Sequence, residues 1–181
     1  MTNELNLKNY KDLKDPNEIE GYFRLFSFIE FGILQILFYN RGCLTIKEIR
    51  SLFVNGLFNS QTHKHSDTPD IRVSRFDLSD EKAKSMYSEY KKATDKKDLE
   101  PYQNTNLKIS LLSKYGIKTP SYLTIENILE NLKEMEITFK REPRKDSKAK
   151  GYWGLNPKFY AIISQNPPDF AFRSGSLISS L

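Results

Sequence analysis

The chain reads as mainly helical with one small β-hairpin, an α+β class, and three observations carry that reading. Apolar residues recur at three-and-four spacing through much of the 181 residues. After Glu136 the period changes to two, with Ile137, Phe139 and Arg141 alternating. A polar turn over Pro143-Arg144-Lys145-Asp146-Ser147 then separates that run from Tyr152-Trp153-Gly154-Leu155, which predicts two strands joined by a charged tip.

Residues 1–16 are polar, end in Asp15-Pro16 and are expected to form a flexible lead-in. A single helix is predicted from Ile19 to Tyr39, apolar around most of its circumference. Its length approaches that of a membrane span, but Arg24, Glu30 and Gln35 interrupt it, and a central acidic residue costs about 2.5–3.5 kcal/mol on insertion scales. A helix apolar on more than one face needs cover, and a second copy is the simplest source. A homodimer joined through Ile19–Tyr39 is the expectation, with no membrane partner.

Asn40-Arg41-Gly42 closes that helix, and Leu44 to Phe53 predicts a short strand and a helix over 45–53. Residues 56–70 read as a loop rich in Asn, Ser, His and Asp, and Ile71 to Leu78 alternates like a strand. Ser79-Asp80-Glu81 starts a helix that keeps its period to about Thr94. The apolar residues Ile109, Leu111 and Leu112 make a helix over 107–115 that ends at Gly116, the residue best suited to the turn at a helix end. Thr119 or Ser121 caps the next helix, Pro120 falls in its first turn, and Ile125, Ile128, Leu129, Leu132 and Met135 share one face. Beyond the hairpin, a helix from Lys158 is stopped by Pro167-Pro168. The organisation predicted is one domain over 17–160, with a structured insertion at about 56–106 and a C-terminal tail over 161–181.

Helix, tight turn, helix and basic hairpin in that order resemble the winged helix-turn-helix regulators of the MarR and PadR type. Tyr152-Trp153-Gly154-Leu155-Asn156-Pro157 is similar to the aromatic-x-Leu-Thr/Asn strand that follows the wing in those families. One position departs: Glu136 stands where the family has Gly before the apolar residue that leaves the recognition helix. Two placements of the helix preceding the recognition helix remain open, 45–53 with a long insertion after it, or 107–115. The resemblance implies sequence-specific binding of double-stranded DNA by a transcriptional regulator. Its alternative is a winged-helix protein–protein interaction module within a nucleic-acid-processing, plasmid or viral replication complex.

Charge agrees in place more than in total. Lys plus Arg is 28 against 23 Asp plus Glu, a net of +5, which permits a polyanionic partner without requiring one. The excess is concentrated on the proposed wing: Lys140, Arg141, Arg144, Lys145, Lys148 and Lys150 face only Glu142 and Asp146.

On the duplex reading, the start of the recognition helix enters the major groove. Lys118, Thr119, Ser121, Tyr122 and Thr124 are then nearest to bases and phosphates. Asn127, one turn on, has the amide that pairs with adenine. Lys140, Arg141, Arg144, Lys145, Lys148 and Lys150 meet phosphates or a minor groove. The plainer reading of the same wing is a solvated hairpin tip. Against the duplex stand Glu126, Glu130 and Glu134, spaced by four along the helix that would face DNA.

No enzyme is expected. His63-Lys64-His65-Ser66-Asp67 holds metal-capable groups, but no other His exists in the chain and the spacing suits a loop. Cys43 is the only cysteine, which excludes an internal disulfide and makes a reducing, cytoplasmic compartment the expectation. No glycine-rich phosphate loop is present, and no cofactor is expected.

Overall fold

The structure, a computed structural model, describes residues 9–40, 43–62, 78–148 and 150–165. The predicted strand over 71–78 (except Leu78), the His63/His65 pair and the tail beyond residue 165 lie outside the described residues. Those residues form seven α-helices and a two-stranded antiparallel sheet, the α+β class expected.

Part of the predicted lead-in is docked. Asn9 caps a 3-10 turn at Tyr10–Asp12, and the Tyr10 ring is 1% exposed, edge-on to Phe159 at 5.0 Å. Helix α1 (Pro16–Phe23) starts at Asp15, whose side chain accepts from the Glu18 amide.

The predicted single helix over 19–39 is two helices. After α1 the chain turns through Arg24–Phe26, and α2 (Phe28–Tyr39) restarts at Ser27. The reason is local: the Ser27 hydroxyl accepts from the Glu30 amide while the Glu30 carboxylate accepts from the Ser27 amide, a reciprocal cap that satisfies two otherwise orphaned donors. Residues 31–38 of α2 are all buried, and they are buried by their own chain. Ile33, Leu34, Leu37 and Phe38 face one core with α1, α6, the sheet and α7, whereas Ile36 faces a second core with α3, α4 and α5. A helix apolar all round is what two cores sharing one helix require. The second copy expected to cover Ile19–Tyr39 is therefore not needed, and only Leu25 and Tyr39 remain as exposed large apolar residues there. Among the described residues no helix is long and apolar enough to cross a membrane.

Helix α3 (Ile46–Thr62) runs well past the predicted 45–53 and absorbs the start of the expected loop, because Leu57, Phe58 and Gln61 bury a continuing face. It crosses α2 closely at Gly32, where a Cβ would come within 2.5 Å of the Phe53 ring. Helix α4 (Asp80–Thr94) is capped by Ser79 and matches its expected span. Helix α5 (Pro101–Lys114) starts six residues earlier than predicted and ends at Gly116 with φ of 84°. There the Ile117 amide reaches back to the Leu112 carbonyl and the Gly116 amide to that of Ser113, a Schellman turn.

Helix α6 (Tyr122–Glu134) is followed by strand β1 (Thr138–Arg141), strand β2 (Tyr152–Leu155) and α7 (Pro157–Gln165). In the hairpin Lys140 pairs with Trp153 and Arg141 with Tyr152. Leu44 lies on the other edge of β2, exchanging both backbone hydrogen bonds with Trp153 at 2.9 and 2.7 Å. The extended segments thus run in the order Leu44, β2, β1. Helix α6 packs against α3 and β1, while α5 packs against α3 and α4. Of the two helices considered as support for α6, the one beginning near residue 45 is among those that pack on it, while α5 packs chiefly on α3 and α4.

Candidate nucleic-acid interface

The first turn of α6 is built by Ser121, whose hydroxyl accepts from the Thr124 amide at 3.1 Å and lies 2.9 Å from the Thr124 hydroxyl. Of the two caps considered, Ser121 is the one used. Pro120 precedes the cap instead of sitting in the first turn, and it is buried. Lys118, Ser121, Tyr122 and Thr124 are exposed, and Thr119 is half-buried. Tyr122 and Thr124 stand in the first turn of the helix, and the Thr124 side chain is engaged with the cap residue Ser121.

Helix α6 buries Ile125, Leu129 and Leu132. At 100° per residue the opposite face is centred on Leu123, Asn127, Glu130 and Glu134. Leu123 is 65% exposed, and sequence reasoning overlooked it although it stands off the apolar stripe. Asn127 is exposed on the outward face. The carboxylates do not turn away: Glu134 is exposed and Glu130 half-buried on that same face. Glu130 is partly neutralised, with Lys133 Nζ at 3.4 Å and Lys140 Nζ at 3.8 Å.

Lys140 accordingly differs from the other wing cations. Its ammonium stands 5.5 Å over the Trp153 ring and beside Glu130, so it is engaged inside the fold. Arg141, Arg144, Lys145, Lys148 and Lys150 are exposed, and among the described residues none of the five takes part in an ion pair. The tip between β1 and β2 therefore carries an excess of positive charge, with Glu142 and Asp146 as its acidic residues.

Where α6 meets β1 the chain adopts φ of 59° at Glu136, the one non-glycine residue with positive φ among those described. The Ile137 amide bonds the Leu132 carbonyl and the Glu136 amide that of Lys133, which repeats the Schellman geometry of Gly116. Glu136 thus takes a left-handed conformation that glycine adopts more readily. The Tyr10 hydroxyl donates to the Glu136 carbonyl, and Lys11 pairs with its carboxylate. That pairing holds the Glu136 carboxyl below, and the Lys11 ammonium above, their ordinary ranges.

Arg50 of α3 completes the helix start, and sequence reasoning gave it no role. Its Nε donates to the Pro120 carbonyl at 2.9 Å, and its guanidinium lies 4.4 Å from the Tyr122 ring centroid. No local signal marks it, because the contact spans 70 positions. Among the described residues no group of three or more His, Cys, Asp or Glu is placed to hold a metal ion. Comparison with protein families, with curated proteins and with solved structures returned no match.

Proposed function

We propose that this chain is a winged-helix protein that binds double-stranded DNA and regulates transcription. Helix α6 would present its first turn and Asn127 to the major groove, and the β1–β2 tip would lie along the backbone. The observation that carries the reading is the set of five exposed wing cations with no ion-pair partner among the described residues. Unpaired cations on a solvated hairpin cost solubility nothing and gain nothing for the fold, whereas phosphate neutralisation releases counterions and favours binding. The order of segments supports the same reading, since α6 rests on α3 and leads through Glu136 into β1 beside β2 and Leu44.

A second reading has its own support. Glu130 and Glu134 on the outward face, together with Leu123 and Tyr122 at 65% and 48% exposure, suit a protein partner better than a phosphate backbone. Selection of bound fragments from random duplex DNA separates the two. Enrichment of a motif that Asn127→Ala relaxes at one position supports the DNA reading. Recovery of an unenriched pool, with no binding above that of a neutral control protein, gives way to the protein partner.

A further inference from the structure

Arg50 is fixed on two sides and open on a third. Its Nε–H is taken by the carbonyl of Pro120, the residue before the cap of α6, and its guanidinium carbon lies over the Tyr122 ring. A guanidinium carries five N–H donors in a rigid fork, and only the Nε donor is used here. Among the described residues the terminal nitrogens make no hydrogen bond or ion pair. The side chain is half-buried, so its long stem has already lost much of the freedom that phosphate binding would otherwise remove. Lys47 lies one turn earlier on α3 and is exposed, as is Lys118 in the segment before Pro120. Positive charge from Arg50 thus borders the start of α6 independently of the wing.

We infer that Arg50 is a phosphate clamp that also positions the reading helix. The inference rests on the duplex-binding reading. Its terminal nitrogens take a backbone phosphate beside the groove that α6 enters, in the forked geometry that suits guanidinium and phosphate. Nε and the cation over the ring meanwhile hold Pro120 and Tyr122, so one residue couples the protein's grip on the backbone to the position of its first turn. The ligand is duplex DNA phosphate, and the neighbouring Tyr122 ring is kept from rotating away by the cation above it.

The test is binding of a short mixed-sequence DNA duplex, followed by fluorescence anisotropy across a salt series, for the full chain and for Arg50→Gln and Arg50→Lys. Arg50→Gln should weaken binding about ten- to hundredfold and reduce the salt slope by about 1, the loss of one phosphate contact. Arg50→Lys should keep the slope but bind several-fold more weakly than the parent, because a lysine neither forks nor stacks. Thermal midpoints measured alongside identify a variant that has merely unfolded, in which case Arg50→Lys decides. An unchanged slope in folded Arg50→Gln, or parental affinity in Arg50→Lys, overturns the clamp alone. Absence of duplex binding by the parent chain overturns the clamp and the reading beneath it together.

Discussion

The hydroxyl of Tyr10 donates to the backbone carbonyl of Glu136 at 3.0 Å, joining the start of the described chain to the junction between α6 and β1. Glu136 sits in a left-handed conformation that glycine adopts without cost and other residues do not. The same short N-terminal turn supplies Lys11 to its carboxylate and packs Tyr10 on Phe159 of α7. A strained residue is thereby held by two contacts from one segment, which is itself anchored on α7, and they set the exit of the hairpin from α6.

Substitutions at the two ends of this contact should act in opposite directions. Tyr10→Phe keeps the ring on Phe159 but leaves the carbonyl without its donor, at a cost of about 0.5–1.5 kcal/mol. Glu136→Gly removes the backbone strain, and the exposed pair with Lys11 that it sacrifices is weak, so the thermal midpoint should rise by about 2–4 °C. Calorimetry or circular dichroism melting reads both. A fall in the Glu136→Gly midpoint would show the ion pair to outweigh the strain.

Gly32 marks the closest crossing of α2 and α3. A methyl group there meets the Phe53 ring, which is itself buried in the second core and has little room to move. Gly32→Ala is expected to destabilise by about 1–3 kcal/mol despite its better helix propensity. Urea unfolding checks it, and a stabilised variant would mean that α2 and α3 separate more readily than their packing implies.

Alkaline pH should unfold the chain through its buried phenols. Burial, with the nearby Tyr10 adding to it, pushes the Tyr22 hydroxyl up from 10.0 to about 12. Below pH 10 both folded and unfolded forms keep the proton and the contribution is fully present. Between pH 10 and about 12 the unfolded chain ionises first, so stability falls as pH rises. Tyr10 is also raised, chiefly by burial, and adds to the same slope. Burial lowers Lys108 from 10.5, which acts the other way: stability gained from it grows as pH climbs through its depressed value towards 10.5. Denaturant titrations across this range should show Tyr22→Phe flattening the loss above pH 10. Lys108→Met should remove the gain below it. An unchanged alkaline slope in Tyr22→Phe would contradict the assignment.

Local signals in the sequence located what local chemistry decides. Ser79 before α4, Gly116 after α5 and the strand over Tyr152 to Leu155 each stand where expected. The break between α1 and α2 was equally legible, since Ser27 and Glu30 have capping-box spacing, but the unbroken apolar run around them concealed it. The burial of α2 was not legible, because it depends on two cores meeting along one helix. In the candidate site the exposed wing cations and Asn127 could be placed from periodicity and charge. Lys140 could not, because its engagement with Trp153 and Glu130 is set by hairpin register and helix packing. Arg50 was invisible for the same reason, its partners Pro120 and Tyr122 being far along the chain.

The most direct test of the duplex-binding account is the salt dependence of binding to mixed-sequence duplex DNA, for the parent chain and for Arg144→Ala combined with Lys145→Ala. The account predicts binding at low salt that weakens linearly on logarithmic axes. In the double variant it predicts a slope shallower by about 2 and similar losses on every sequence. Failure of the parent chain to bind duplex at low salt, or a slope that the two substitutions leave unchanged, would contradict it.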